Sequence, residues 1–326
     1  MQFQYLVPPP FVHQSEAADP NDIKVSQWIR PWDGTEQADA GIIGMPLSRS
    51  SISASAASES PWAIRQSWKN FSAYDVDHDV DLTTLNVSDF GDIRTHVTDI
   101  PLCHHYIEKG MGEVYQATRK QDSFLPVMIG GDHSVTCPSV KAFAKAHPGR
   151  KVGLLQFDTH FDVRSLKSGG PSNGTPIRGL VEAGTLRGEQ IVQVGIHGFA
   201  NSRIYRKYAD DHGITFYTMH QIRKEGLEKV LYESFARLSC NVDIIYVTVD
   251  LDVLDMSFLP ASPGALPGGL YSHELFEAMY WLGQKEQVKA LDMVCLDPGR
   301  DVGDLSVKTA TSVMLSFLSG VCSRKC

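Results

Sequence analysis

Three short stretches gather carboxylates and imidazoles at the ends of apolar runs. "PVMIGGDHS" closes on Asp132 and His133, "VGLLQFDTHFD" on Asp158, His160 and Asp162, and "IIYVTVDLDVLD" on Asp250, Asp252 and Asp255. In extended chain, residues i, i+2 and i+4 point to one side. If strand geometry persists to its end, Asp158, His160 and Asp162 face one point, and Asp250 and Asp252 do the same from a second strand. Carboxylates gathered in a poorly solvated cleft repel and raise one another's pKa unless a cation is present. Four of these Asp with two neutral His carry a charge of about −4, which two divalent ions balance. Oxygen-rich ligation with one or two imidazoles suits Mn2+ better than a thiolate-preferring metal. Two ions roughly 3.5–4 Å apart share carboxylates and hold a bridging water, whose pKa falls from about 15.7 towards about 7. The chemistry that follows is metal-assisted hydrolysis. A single Asp at a strand end is more often a helix cap or turn residue, and Asp132 and Asp255 fit that plainer role. Gly130 and Gly131 permit a tight turn and close backbone approach before His133.

The elements that must position these residues alternate. Apolar, β-branched runs predict strands near 41–46, 85–90, 126–130, 152–158, 191–196, 214–218, 243–249 and 288–294. Helical patterns fall near 104–121, 136–147, 202–212, 226–238, 273–284 and 305–319. Several strands are apolar on both faces, as in a parallel sheet covered on both sides. The alternation predicts a doubly wound α/β sheet, with ligands at the carboxyl ends of its strands. The Ser-rich piece 48–60 reads as a loop, either a solvated linker or a cover over the site.

At 326 residues the chain is within reach of one large α/β domain. A net charge of −8 without a run of Lys or Arg argues against a nucleic-acid partner. The N-terminal "MQFQYLVPPPFVHQ" lacks the pattern of a signal peptide. No stretch approaches the roughly 20 apolar residues of a membrane span. Six cysteines without paired spacing predict reduced thiols in the cytoplasm, with Cys322 and Cys326 as exposed thiols at the tail.

"GGDHS" (130–134), "DTHFD" (158–162) and "DLDVLD" (250–255) resemble, in their order, the ureohydrolase family of arginases, agmatinases and their relatives. The resemblance covers nearly the whole chain. It implies a three-layer α/β/α fold around an eight-stranded parallel sheet, one domain over 1–326 with residues 1–35 as an extension packed on it. It also implies a binuclear Mn2+ centre and a homo-oligomer, a trimer or hexamer. Carried over residue by residue, His133 and Asp162 hold one ion, His160 and Asp252 the other, and Asp158 and Asp250 bridge both. Asp162 and His160 are then the catalytic candidates, with Asp162 orienting the attacking water.

Departures from the arginase pattern bear on the substrate. "DVR" puts Arg164 where arginases have Asn. "GGPSNGTP" puts Asn173, followed by Thr175, where arginases and agmatinases have a His. "GIHGFANSRIY" places Asn201 and Arg203 where arginases use acidic residues to hold an amino group. Groups that would greet a cation are gone, and arginines, which bond carboxylates bidentately, have come in. These stretches are similar to the branch of the family that cleaves N-formimino-L-glutamate to L-glutamate and formamide. The resemblance implies that its carboxylates meet Arg164 and Arg203, with Arg178 as a third candidate; each arginine could instead form a surface salt bridge. Cys295 stands where guanidine-cleaving members carry Glu. It is either a small buried hydrophobe or the mark of a head group with one amino group fewer. Met256 replaces a Pro usual after Asp255 and alters only the loop. Rival readings are a hydrolase of another amidino acid such as guanidinobutyrate or agmatine, a single-zinc deacetylase of the same general fold, and an inactive metal-binding relative.

Overall fold

The computed structural model describes residues 3–14, 19–34, 37–121 and 123–325; Cys326 lies outside them. Eight strands, β1 (Ala40–Met45), β2 (Val87–Ile93), β3 (Leu125–Gly130), β4 (Val152–Phe157), β5 (Ile191–Ile196), β6 (Thr215–Thr218), β7 (Ile244–Asp250) and β8 (Val288–Val294), match the eight expected. They pair in parallel in the order β2-β1-β3-β8-β7-β4-β5-β6. Two strands of two residues extend the sheet to ten: Leu6–Val7 runs antiparallel along β2, and Arg30–Pro31 pairs with β2 in parallel. Pieces so short have no periodicity to read; the free edge of β2 makes them strands.

Alternation along each strand sends side chains to two separate cores. Leu155, Phe157, Val247 and Val249 pack on one face beneath the helices Ser272–Gly283 and Leu305–Cys322. Leu154, Tyr246 and Ala290 pack on the other beneath Ile100–Thr118 and Thr136–Ala146. The three layers follow. The helices Ser60–Ser67, Pro176–Glu182 and Met219–Glu225 were not legible beforehand. At 8, 7 and 7 residues they are too short to show helical periodicity and are held by tertiary packing.

Two expectations are corrected here. Leu305–Cys322 is long and apolar enough to cross a bilayer by length and composition, contrary to the sequence reading; 72% of it is buried in the fold, against Ser272–Gly283. Cys322 is buried, not exposed, with its Sγ 3.0 Å from Thr84 Oγ1. The described cysteines are free thiols. On the outer side of the sheet, fully buried Arg65 clamps the end of β2 by ion pairs to Asp89 and Asp92, each at 2.7 Å.

Candidate metal centre

The strands stop before most of the ligands begin. β4 ends at Phe157, so Asp158, His160 and Asp162 lie on the loop beyond it, and Asp162 takes a left-handed φ of 53°. Asp252 sits in a single 3-10 turn, Leu251–Val253. Strand alternation therefore does not gather them; one local turn, used three times, does. Asp132 Oδ1 accepts from Ser134 N–H at 3.0 Å, Asp158 Oδ1 from His160 N–H at 2.5 Å, and Asp250 Oδ1 from Asp252 N–H at 3.0 Å. Such aspartate turns satisfy the backbone where the ladder ends. In the first, the cap reading of Asp132 holds: it is buried, also accepts from Ser50 Oγ at 2.9 Å, and belongs to neither ligand group. Asp255 likewise anchors its loop, accepting from Ser257 and Gly268 N–H. Gly131 is required by packing, since a Cβ there would lie 1.9 Å from Leu47 O.

In the other two turns the second carboxylate oxygen points inward. His133 Nδ1 lies 3.1 Å from Asp158 Oδ2, 3.2 Å from Asp250 Oδ2 and 2.7 Å from Asp162 Oδ2. His160 Nδ1 lies 3.1 Å from Asp252 Oδ2 and 3.4 Å from Asp158 Oδ1. The result is two ligand groups, His133–Asp158–Asp250 and Asp158–His160–Asp252, with Asp158 common to both. Asp162 adjoins the first.

A polar row runs one layer beneath this cage. Gln193, Gln156, Thr248 and Asp292 stand in direct register across β5, β4, β7 and β8, all fully buried. Gln193 Nε2 donates to Gln156 Oε1 at 2.8 Å, and Gln156 Nε2 donates to Asp158 Oδ2. Asp292 accepts from Thr248 (2.5 Å), Tyr246 (2.7 Å) and Thr136 (2.9 Å). Because the Thr248 hydroxyl donates to Asp292, its oxygen accepts from His133 Nε2–H, 3.0 Å away. That fixes the tautomer of the neutral ring: once deprotonated, His133 turns an Nδ1 lone pair on three carboxylates, and without a cation those carboxylates hold the imidazolium well above its ordinary range although burial opposes it. His133 Nδ1 and Asp162 Oδ2 are both buried without a hydrogen-bond partner. With the ring neutral, lone pair faces lone pair, which is repulsive; a divalent cation between them fits in place of the proton, and the two groups fit two such ions.

The proton balance carries the same strain. Burial lowers the His160 imidazolium, yet Asp252 and Asp158 push it up to about 12. Burial and the charges of Asp252 and Asp158 push Asp250 up to about 8, and burial and Asp158 push Asp162 up to about 7. Asp158 goes the other way: burial raises it, but bonds from His133 and His160 hold it below the ordinary carboxylate range.

A cleft of about 220 Å3 opens over the cage. His160, Asp162, Asp250 and Asp252 form its floor, and Arg164, Asn173, Asn201 and Cys295 line its walls. Ile52 and Ser53 also line it, so the Ser-rich segment is a wall of the cleft and not a linker. Gly264 closes another side; a Cβ there would meet Asp252 Oδ2 at 2.2 Å. Cys295 is buried in the cleft wall with a left-handed φ of 66°, its N–H bonded to Gly131 O at 2.7 Å, and burial and Asp250 push its thiol up. Met256 lies exposed on its loop.

The expected substrate contacts divide. Arg164 lines the cleft. Asn173 does too, but its Oδ1 accepts from Ile52 N–H at 2.9 Å, so it positions the Ser-rich wall. Asn201 braces the ligand loop, accepting from Phe161 N–H at 3.0 Å and donating to Thr159 O at 2.9 Å. Three other candidates do not line the cleft. Thr175 is buried outside the cleft, with its hydroxyl donating to Ser172 O at 2.8 Å. Arg203 is exposed and lines a different cavity. Arg178 pairs with Glu182 one helical turn on, at 2.6 Å, and lies over the Tyr208 ring. Sequence reasoning missed the polar row, although each member is a lone polar residue inside an apolar strand.

A three-layer parallel sheet carrying a double carboxylate–imidazole cage at its carboxyl ends defines a class, and the comparison with known families agrees. The chain belongs to the arginase family, whose model matches residues 38–320. It is 43% identical over 315 residues to a formimidoylglutamase of Halalkalibacterium halodurans, covering 96% of this chain and 97% of the relative. It is 37% identical to the formimidoylglutamase of Bacillus subtilis, covering 96% and 97%. The crystal structure of a B. subtilis formimidoylglutamase superposes with a TM-score of 0.89 over 96% of this chain and 97% of that one, at 36% identity. The structure of Trypanosoma cruzi formiminoglutamase with Mn2+2 superposes with a TM-score of 0.83 at 25% identity, covering 93% and 99%.

Proposed function

We propose that this protein is a binuclear manganese hydrolase that cleaves N-formimino-L-glutamate to L-glutamate and formamide. The observation that carries the reading is the pair of ligand groups sharing Asp158, set beneath a cleft whose wall presents the Arg164 guanidinium. Full-length similarity to two formimidoylglutamases supports the same substrate. His133, Asp158, His160, Asp162, Asp250 and Asp252 would hold the ions. Two bound Mn2+ supply an activated water and polarise the substrate's nitrogen or carbon centre.

The chain's own residues do the rest. Thr248 and Asp292 hold His133 in the ligating tautomer. Asp162, lining the cleft with its Oδ2 free of hydrogen bonds, is placed to orient the attacking water and to take up and return its proton. His160, its side chain about one-third exposed, is the imidazole that substrate meets first. Arg164 engages a carboxylate of the tail, bidentately where geometry allows. In the net reaction, water adds to the formimino carbon, the bond from that carbon to the glutamate nitrogen breaks, and that nitrogen leaves as an amine. The reading includes a cytoplasmic homo-oligomer, a trimer or hexamer, formed from one domain over 1–326; sedimentation equilibrium tests the assembly.

The deciding experiment is turnover by the Mn-loaded protein of formiminoglutamate, guanidinobutyrate, agmatine and arginine. Formiminoglutamate is the preferred substrate on this reading. Rapid cleavage of agmatine or arginine with none of formiminoglutamate would reject it.

A further inference from the structure

A second cavity of about 540 Å3 opens beyond the carboxyl ends of β5 and β6, and Asn201 lines both it and the metal cleft. Crevices at this end of an open α/β sheet are where such folds receive ligands. Arg203, Arg206 and Arg223 line it, with His197 and His220, and among the described residues no Asp or Glu does. Arg206 has Asp210 nearby, at 3.9 Å and so beyond hydrogen-bond distance. Arg223 donates to a carbonyl, Gly268 O, and not to a carboxylate. The ten-residue helix Arg203–His212 starts at this wall, adding the positive end of its dipole. Three guanidinium groups around one concavity repel one another unless an anion enters.

A separate observation says more about the occupant. His197 is only 9% exposed, and its Nδ1 lies 2.7 Å from Gly195 O, so Nδ1 carries the hydrogen and donates it. Nε2 is left as a buried acceptor without a partner. A buried polar atom without a partner is destabilising. A ligand that satisfies it must bring a donor as well as negative charge.

We infer that this cavity is an anion-binding site distinct from the metal cleft, taking a small oxyanion that also carries a protonated oxygen or an ammonium group. Hydrogen phosphate and an acidic amino acid share that chemistry. Because Asn201 also holds the backbone of Thr159 and Phe161, an occupant would bear on the loop that carries Asp158 to Asp162.

Calorimetric titration of the Mn-loaded full chain with inorganic phosphate, and separately with L-glutamate, tests the site in the wild type, the Arg203→Ala/Arg206→Ala double variant and Arg164→Ala. Both arginines of the double variant are exposed, so the fold survives their loss, and a melting curve verifies it. Loss of charge-assisted bonds predicts roughly tenfold or greater weakening of one binding event in the double variant, with that event retained in Arg164→Ala. An arginine-dependent event with phosphate alone identifies a phosphate site; one with glutamate alone identifies an acidic amino-acid site. Binding that survives the double substitution, or that vanishes with Arg164→Ala, belongs to the metal cleft and overturns the inference. So does the absence of binding to the wild type at roughly 10 mM anion. A change in assembly mass in the double variant would also overturn it, making the cavity a contact between copies.

Discussion

Nε2 of His133 lies 3.0 Å from Oγ1 of Thr248, and this single contact decides which imidazole nitrogen faces the ions. The threonine can only accept there, because Asp292 holds its proton. Asp292→Asn or Thr248→Val releases the ring to rotate or change tautomer with little change in volume. Outer-shell losses of this kind weaken metal binding by roughly 10–100-fold. Manganese titration followed by electron paramagnetic resonance should show one of two sites weakened, with circular dichroism unchanged. Two sites of unaltered affinity would remove the relay from the metal centre.

Metal uptake should release protons and tighten as pH rises. In the metal-free protein His160, pushed up to about 12, is protonated at neutral pH, and Asp250 (about 8) and Asp162 (about 7) are partly so. A cation requires these groups deprotonated, so protons compete with it and win at low pH. Each displaced proton contributes roughly tenfold in affinity per pH unit. Manganese titrations between pH 6 and 8.5, repeated in buffers of different ionisation enthalpy, count the protons. A pH-independent affinity would contradict the electrostatics described.

Arg164→Ala should act on the substrate's tail. Removing a charged hydrogen-bonding partner predicts KM raised roughly ten- to a hundredfold, with kcat changed only a few-fold. Arg178→Ala, whose parent is engaged with Glu182, is the contrasting variant and should leave KM where it was. Steady-state kinetics on formiminoglutamate separate the two.

Arg65 governs stability without touching the cleft. Its guanidinium is buried, and Asp89 beside it is nearly so. Arg65→Leu leaves Asp89 buried without its counter-charge, a loss of about 3–5 kcal/mol. Urea unfolding of the Mn-loaded protein reads that loss directly; a shift below about 1 kcal/mol would show that the carboxylates find water instead.

The body of the sheet was legible because the strands β1 to β8 are mostly apolar runs bounded by turn residues, with the long amphipathic helices between them. The cage residues were legible as types, but the reason given for their convergence was not the right one. Strand alternation ends at Phe157, and a left-handed residue at Asp162 completes the approach that an extended chain could not make. Arg203 lies apart from the cleft for a related cause. Its position in the chain follows Asn201 closely, yet the turn at Ser202 starts a helix and carries Arg203 to the neighbouring cavity. Asn173 and Asn201 have the polarity of ligand contacts, and only their backbone partners reveal them as braces. The Gln193–Gln156–Thr248–Asp292 row depends on register between strands far apart in sequence, which no local pattern carries.

The aspartate turns at Asp158 and Asp250 divide the labour within each carboxylate. One oxygen shapes the backbone, and the other turns toward His133, where a ligand is needed. The loops thus reach their ion-receiving shape as a by-product of chain reversal, before any ion arrives. Manganese removed by a chelator should therefore leave an intact mould, and activity should return on re-addition at the pace of ion diffusion and dehydration, without a refolding phase.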